Sequence, residues 1–208
     1  MPQGMSGLRT GSGGNIILDT GMIYVNIDVE ALTSETALTG EETRVGNAIE
    51  TATPLGATSG GATFNPARTL RQIPVDGLLG PAMGFVRRQN SAPTLTVNLI
   101  EATIENLQYA IAGLVTEAAG DFTRITGGEI TDESYLENVA LFTRYKATQV
   151  PIVLVIYNAL AHEAPSIGLT HGSESVLAVT FTGHVDPVAP NAEVWDIFHP
   201  GTPLVPPA

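Results

Sequence analysis

The spacing of apolar residues predicts β-strands along most of the chain. Between residues 23 and 29 every second residue is apolar and the intervening positions are more polar, which is typical of a strand with one buried face. Similar alternation recurs at 93–99 and at 176–184. Residues 152–157 are apolar on both faces, which predicts a central strand covered on both sides. The pattern therefore predicts a mainly β fold.

A change of period after residue 102 predicts one short helix. Four apolar residues recur there at helical spacing: Ile104, Leu107, Ile111 and Leu114. Thr103 is a favourable N-cap, and Glu105 lies in the first turn, where the helix dipole stabilises a negative charge. Residues 137–145 alternate imperfectly, so a strand there and a helix at 134–142 both remain open.

Segments 62–75 and 82–88 predict the two arms of a hairpin with an unusual tip. The tip, VDGLLGPAMG (75–84), contains turn signals on both sides of Leu78 and Leu79. A hairpin tip is normally hydrated, so two leucines there need a reason. The first arm changes the parity of its apolar positions, which predicts a bulge or bend. Four of the nine basic residues lie on the arms: Arg68, Arg71, Arg87 and Arg88.

Three segments lack a regular period. Residues 1–14 are rich in Gly and Ser, which predicts a flexible N-terminal arm. Residues 32–61 are rich in Thr, Ser, Gly and Glu, which predicts one long projecting loop, so that deleting 36–56 would leave a foldable chain. Residues 187–208 contain six prolines and predict an extended C-terminal arm with an apolar anchor at 194–198.

No second core is visible in the pattern. The whole chain, 1–208, is therefore predicted to be a single domain. Its expected architecture is a β-sandwich or barrel with one flanking short α-helix, a long projecting loop and extended N- and C-terminal arms.

A shortage of charge adds a prediction about the surface. Charged residues make up 14% of the chain, compared with about 25% in average soluble domains. Acidic residues number 21 against nine basic ones, and the net charge is −12. So few charged side chains predict a surface that is largely buried against other subunits. The acidic balance argues against binding nucleic acid through its phosphates, which requires Lys and Arg.

Catalytic and metal-binding motifs are missing from the sequence. The chain has no cysteine, which excludes disulfides and thiolate chemistry. His162-Glu163 begins a zinc-protease pattern, but Ser166 stands where the second histidine is needed. Glu101 and Glu105 lie at a strand–helix junction, whereas a glycosidase needs opposed carboxylates across a cleft. The sequence therefore predicts no enzyme, no cofactor and no metal, although His184-x-Asp186 at a strand end could contact a cation.

Membrane and secretory segments are also not visible. No apolar run approaches the ~18 residues that a transmembrane helix needs, and the first residues lack an apolar signal region. A soluble protein made in a cytoplasm is the expectation.

Two predicted strands carry small polar side chains on the face opposite their apolar one. The candidates are Thr94, Thr96, Asn98, Thr180 and Thr182. Because solvated sheet faces usually carry Lys and Glu, an uncharged face favours a sheet that pairs with neighbours or lines a smooth channel. These residues are candidates for a lumen or sheet-interface face.

Several segments resemble the major tail tube proteins of long-tailed (siphovirus-like) bacteriophages. LGATSGGATFNPARTLRQIPVDGLLGPAMG (55–84) precedes APTLTVNLIEATIENLQYAIAG (92–113), and VLAVTFTGHVDP (176–187) precedes VWDIFHP. The resemblance lies in a Gly-Gly entry to a strand, an Ile-x-Val-Asp-Gly turn, an Ala-x-x-Leu-x-Val strand, and then Glu and a short helix. Pro74 and the two tip leucines depart from this pattern.

The resemblance implies a structural virion protein of the phage tail, assembled in the host bacterial cytoplasm. Its subunits would form hexameric rings that stack into a tube, through which DNA passes without specific binding. Other tail proteins (tape measure, terminator and distal tail) would be its partners, with no membrane involved. Loops would bridge the rings, with Glu41, Glu42 and Arg44 as candidate stacking residues. The hairpin would meet a neighbouring subunit, with these candidates: Arg71, Asp76, Leu78, Leu79, Arg87 and Arg88.

Two alternatives remain open. One is an inner tube protein of a contractile tail or secretion system, which shares the fold. The other is a capsid decoration or sugar-binding β-sandwich, which would usually show aromatic stacking platforms. Trp195 is the only tryptophan, which weighs against sugar binding.

Overall fold

Strands dominate the computed structural model, which describes residues 17, 21–33, 41–146, 150–165, 167 and 175–199. The strands are β1 (Met22–Val25), β2 (Thr53–Pro54), β3 (Thr58–Asn65), β4 (Arg68–Gln72), β5 (Val86–Ser91), β6 (Thr94–Leu99), β7 (Leu114–Ala119), β8 (Phe122–Gly127), β9 (Leu136–Arg144), β10 (Pro151–Ala161), β11 (Leu177–Gly183) and β12 (Trp195–Phe198). The α-helices are α1 (Val29–Thr33), α2 (Glu41–Ala48) and α3 (Ile104–Ala110). The mainly β prediction is confirmed.

Eight of these strands form one continuous antiparallel sheet. Their order is β2-β1-β9-β10-β11-β6-β3, and β12 also pairs with β10. One side of β10 pairs with β9, while the other side is shared by β12 at 153–156 and by β11 at 159–161. The predicted central strand is therefore confirmed, and β10 connects the two halves of the sheet.

A local change of backbone conformation at Asn158 lets β10 pair with strands in both halves of the sheet. Asn158 has a φ of +46°, in the left-handed region that asparagine tolerates better than most residues. Strict alternation would place Ile156 and Ala159 on opposite faces. Both belong instead to the same buried cluster, because the parity of the inward side chains changes at Asn158.

Two buried clusters hold the helices against the sheet. The larger cluster contains Val97, Val179 and Phe181 and packs against α3 through Ala110. The smaller cluster is formed around Val155 and packs against α1 and α2. Burial alternates strictly along β6 and β11, as their sequence pattern predicts.

The start of the predicted helix α3 and its cap are confirmed, but the helix is shorter than predicted, because it ends at Ala110 and Leu114 begins β7. Thr103 Oγ1 accepts a hydrogen bond from the backbone N–H of Asn106 at 3.1 Å. The buried side chain of Asn106 donates to the carbonyls of Leu55 at 3.1 Å and Glu101 at 2.8 Å. The helix start therefore also fixes the chain segment that leads into β3.

The prediction of a single flanking helix is wrong, because α1 and α2 also form. Asp28, which the alternation placed on a strand face, accepts hydrogen bonds from the backbone N–H groups of Glu30 and Ala31 at 3.0 and 3.2 Å. It thus begins α1 rather than continuing β1. Its own N–H donates to the carbonyl of Ala48 at 2.9 Å, which ties the start of α1 to the end of α2.

The predicted long loop at 32–61 is also wrong. This range contains the end of α1, all of α2 and β2, and the start of β3, while residues 34–40 lie outside the described residues. Ala48 is buried, and Val45 and Ile49 pack against the smaller cluster. Deleting 36–56 would therefore remove part of the core. The apolar positions 45, 48 and 49 have helical spacing, which the Thr- and Gly-rich composition concealed.

Three segments in the C-terminal half agree to different degrees with what the sequence pattern indicated. The strand alternative at 137–145 is correct, since β9 covers most of it. The segment 194–198, predicted as the apolar anchor of the C-terminal arm, is attached to the sheet, because Val194 is buried and β12 pairs with β10. The hairpin formed by β7 and β8 was not predicted, although Gly120-Asp121 between two β-rich runs is a two-residue turn signal. The arms at 1–14 and 200–208 lie outside the described residues.

Tyr157 joins β10 to β12, and its contact predicts a pH dependence of stability. Its hydroxyl donates to Asp196 Oδ2 at 2.8 Å. Burial raises the pKa of Tyr157 well above its usual value, and the hydrogen bond and negative charge of Asp196 raise it further. Because the folded-state pKa lies above the unfolded one, this stabilisation is complete below about pH 10 and is lost as the pH rises beyond it.

We expect Tyr157→Phe to lower the free energy of unfolding by about 1 kcal/mol at neutral pH and to flatten its decline above about pH 10. Urea unfolding of both proteins at neutral and alkaline pH measures the difference. Parallel declines in the two proteins would contradict the assigned role of Tyr157.

Candidate assembly surfaces

Strands β4 and β5 form a two-stranded sheet that is separate from the main one. We call residues 68–91 the arginine hairpin. From residue 68 to residue 90 every side chain is exposed except Ala82, which is half-buried. The register shifts between Thr69 and Leu70, where the extra residue, Gln89, lies in β5. The hairpin therefore contains a bulge, but on the second arm rather than on the first, where it was predicted. The predicted first arm was too long, because residues 58–65 belong to β3 in the main sheet.

The base of the arginine hairpin is attached to the segment before β12. Glu193 Oε1 forms salt bridges with Arg68, at 3.0 Å, and with Arg88. Arg88 also donates to the carbonyl of Asn191 at 3.1 Å, and the guanidinium of Arg68 lies over the ring of Trp195 at 5.0 Å. Arg68 and Arg88 therefore have partners within their own chain, and Glu193 lies where no sequence signal marked it.

The two remaining arginines of the hairpin face each other across its strands. Arg71 and Arg87 are direct cross-strand partners, and both are exposed. Within the part of the chain that the structure describes, neither forms a salt bridge. Like charges directly opposite each other destabilise a strand pair. An acidic partner outside the hairpin would relieve this repulsion.

We expect Arg87→Ala to raise the free energy of unfolding of the isolated subunit by about 0.2–1 kcal/mol, because it removes this repulsion. Urea unfolding at low protein concentration measures the change. Arg124→Ala is the matched control, since Arg124 pairs across β7 and β8 with Glu117 at 3.3 Å and its loss should not stabilise. A destabilised Arg87→Ala protein would contradict the repulsion.

The charge of the arginine hairpin is opposite to that of the rest of the chain. Residues 68–91 hold four arginines and one acid, Asp76, which gives a formal charge of +3. Since the whole chain carries −12, the remainder carries −15. Asp76 is exposed in the turn at the tip. A second copy of this chain is thus itself an acidic surface that attracts the hairpin.

The tip of the hairpin presents apolar side chains to solvent. Leu78 is 54% exposed, and Leu79 and Met83 are fully exposed. Neighbouring apolar side chains are also exposed: Leu70, Ile73, Val75, Phe85 and Val86. Ile73, Val75, Leu78 and Leu79 line an open depression of about 510 Å³. Contiguous exposed apolar surface of this kind marks an interaction site.

The predicted uncharged face is brought together by the main sheet. Thr94 pairs with Thr182, and Thr96 pairs with Thr180, whose hydroxyl oxygen lies 3.0 Å from that of Thr96. Strand β3 adds two partners that the sequence did not suggest, Thr63 and Asn65. We use the name threonine face for the surface formed by Thr63, Asn65, Thr94, Thr96, Asn98, Thr180 and Thr182. It holds no charged side chain and is exposed or half-exposed throughout.

The threonine face ends at an open sheet edge. Strand β3 has eight residues and, among the described strands, pairs only with β6. Gly60 and Gly61 have φ values of +77° and +81°, where the register of β3 shifts between Thr58 and Ala62. An open edge can pair with another chain, and the bulge restricts where it does so.

The candidate stacking residues lie on a helix rather than a loop. Glu41 and Glu42 begin α2, and Arg44 lies in its first turn. Arg44 is half-buried, and its Nε atom is buried without a hydrogen-bond partner among the described residues. A role for these residues in contacts between rings stays a prediction.

The hairpin formed by β7 and β8 provides a second exposed surface. Phe122 at its turn is 81% exposed, and Val115 is also exposed. Its one arginine, Arg124, pairs with Glu117, and Asp121 at the turn leaves the hairpin with a formal charge of −1. This hairpin therefore lacks the uncompensated arginines of the first one.

The described residues lack a group of side chains suited to hold a metal ion. They contain no converging group of three or more His, Asp or Glu side chains. None of their helices is both long and apolar enough to cross a bilayer. Glu101, considered above as a catalytic acid, accepts a hydrogen bond from the N–H of Ala57 at 2.8 Å, which gives it a structural role.

No protein-family model matches this chain, and no curated protein matches it significantly. The assignment of a function therefore depends on the fold and on these surfaces.

Proposed function

We propose that this chain is a structural subunit of a phage tail, whose copies form hexameric rings that stack into the tail tube. The tube would be the channel for DNA ejection into the host, and the protein would reside in the virion beside the other tail proteins. The resemblance at 55–84, 92–113, 176–187 and 194–200, the mainly β fold and the shortage of charge support this proposal.

The arginine hairpin is the observation that carries the proposal. It combines exposed leucines with two arginines, Arg71 and Arg87, that oppose each other and form no salt bridge with any residue that the structure describes. The rest of the chain is strongly acidic. A neighbouring copy supplies both an apolar surface for the leucines and carboxylates for the arginines. Such a contact has a different surface on each partner and therefore closes into a ring or continues as a stack.

The open edge of β3 and the threonine face suit the inside of such a ring. Pairing of β3 with a strand of the next copy would remove the exposed edge. The threonine face beside that edge offers no Lys or Arg to hold phosphates, so DNA would pass along it without specific binding. The net negative charge of the chain would repel the DNA backbone over about a Debye length.

Assembly of the purified full chain tests the proposal directly. Negative-stain electron microscopy and sedimentation velocity over a range of concentrations should show rings with an open centre and stacked tubes. High salt should weaken the assemblies, because the Debye length falls from ~10 Å at 0.1 M to ~3 Å at 1 M. A chain that stays monomeric at high concentration in low salt would refute the proposal.

A further inference from the structure

Two histidines meet where strands β10 and β11 end. His162 follows the last residue of β10, and His184 follows the last residue of β11. Their Nε2 atoms lie 2.7 Å apart. The ring planes are within 4° of parallel and the ring centroids are 4.8 Å apart. Since the nitrogens are much closer together than the centroids, the rings meet at their Nε2 edges rather than face to face.

The proton positions in this pair follow from the partner of His184. Its Nδ1 lies 3.1 Å from the carbonyl oxygen of Asn158. A carbonyl only accepts, so Nδ1 of His184 carries a hydrogen, and the neutral ring presents a lone pair at Nε2. His162 therefore donates its Nε2–H to that lone pair.

His184 is held firmly in this orientation. Its backbone N–H donates to the carbonyl of Asn158 at 3.2 Å, and its own carbonyl accepts from the side chain of Asn158 at 3.1 Å. The ring of Tyr135 contacts its ring edge-on, with centroids 5.1 Å apart. The left-handed conformation of Asn158 that bends β10 thus also positions His184.

We infer that His162 and His184 form a binding site for one divalent transition-metal ion of the copper, nickel and zinc class, bound through both Nε2 atoms. Imidazole is a preferred ligand of these ions. A metal-binding histidine commonly donates its other ring N–H to a backbone carbonyl, which is the contact that His184 already makes with Asn158.

Binding one ion requires a small change in the separation of the two nitrogens and a rotation of both rings, because the Nε2 atoms point at each other in the observed pair. Bonds of about 2.0 Å from one ion to two adjacent ligands place the two nitrogens roughly 3 Å apart, slightly more than the 2.7 Å observed. His162 would move its proton from Nε2 to Nδ1, a change of tautomer that frees the second lone pair and releases no net proton. No third side chain converges on the pair among the described residues, so the inference assigns two protein ligands.

Copper(II) alone is the probe that tests this site, because electron paramagnetic resonance reports its nitrogen ligands. The full chain is titrated with copper(II) chloride near neutral pH. We expect one ion per chain with a spectrum showing two nitrogen donors. Binding should weaken at least about tenfold in His162→Ala or His184→Ala, and should also weaken at acidic pH, where imidazole is protonated.

His199→Ala is the matched control, because His199 adjoins β12 near the opposite end of β10, and it should bind copper as the unaltered chain does. The double variant, His162→Ala with His184→Ala, measures background binding. Equal binding by the unaltered chain and the double variant would overturn the inference, as would a single nitrogen donor. If an alanine variant unfolds more readily without metal, His162→Gln at an exposed position gives the same readout. These outcomes do not depend on assembly.

Discussion

Replacing Leu78 and Leu79 together with aspartate is expected to abolish assembly while leaving the subunit folded. Both leucines are exposed in the isolated subunit, so the change removes no buried contact there. Burying a leucine contributes about 1.5–3 kcal/mol, and each 1.4 kcal/mol is a factor of ten in affinity. The double change should therefore weaken the contact by roughly 10²- to 10⁴-fold, before any cost of burying charge is added.

Sedimentation velocity measures the loss of assembly, and circular dichroism with thermal unfolding measures the retained fold. Phe122→Asp is the control, because it also replaces an exposed apolar side chain with aspartate, at the turn of the second hairpin. Assembly of the control at the normal concentration would assign the contact to the arginine hairpin. Tubes of normal length from the double leucine variant would show that the tip lies outside every subunit contact.

Phe181→Ala is expected to have the largest effect on stability. Phe181 is completely buried in the larger cluster, where β11 pairs with both β6 and β10. Removing a buried phenylalanine typically costs 3–5 kcal/mol, because the transfer free energy is lost and a cavity remains. Since the free energy of unfolding of a domain is only about 5–15 kcal/mol, this substitution would remove a large part of it.

Urea unfolding followed by circular dichroism measures this change as a shift of the midpoint. Phe122→Ala is the control, because an exposed side chain contributes within about 0.5 kcal/mol. Equal midpoints for the two variants would contradict the placement of Phe181 at the centre of the core.

Local patterns were sufficient to predict several parts of the fold. The strict alternation of β6 and β11 and the helical spacing with the Thr103 cap of α3 are each complete within a few residues of sequence. The two leucines between turn signals likewise marked the tip of the arginine hairpin. Such features depend on backbone geometry that neighbouring residues decide, so a reader of the sequence can recognise them.

Other parts could not be predicted because their partners are distant in the chain. Strand β12 has only four residues, and its extended conformation depends on antiparallel pairing with β10. Helix α2 has a weak pattern and is held by the apolar surface of the sheet. From the sequence, Arg88 is a candidate for an intersubunit contact. In the folded chain it forms a salt bridge with Glu193, which lies 105 residues later in the sequence.

The sequence by itself therefore determined the mainly β class, the uncharged strand faces, the acidic balance and the exposed leucine tip, since each follows from residue type and short-range spacing. Only the tertiary structure decided that β6 and β11 are neighbours, so that their threonines form one face, and that Arg71 opposes Arg87. It also brought His162 against His184. The physical reason is that strand pairing and side-chain proximity depend on long-range register, which periodicity along one segment does not encode.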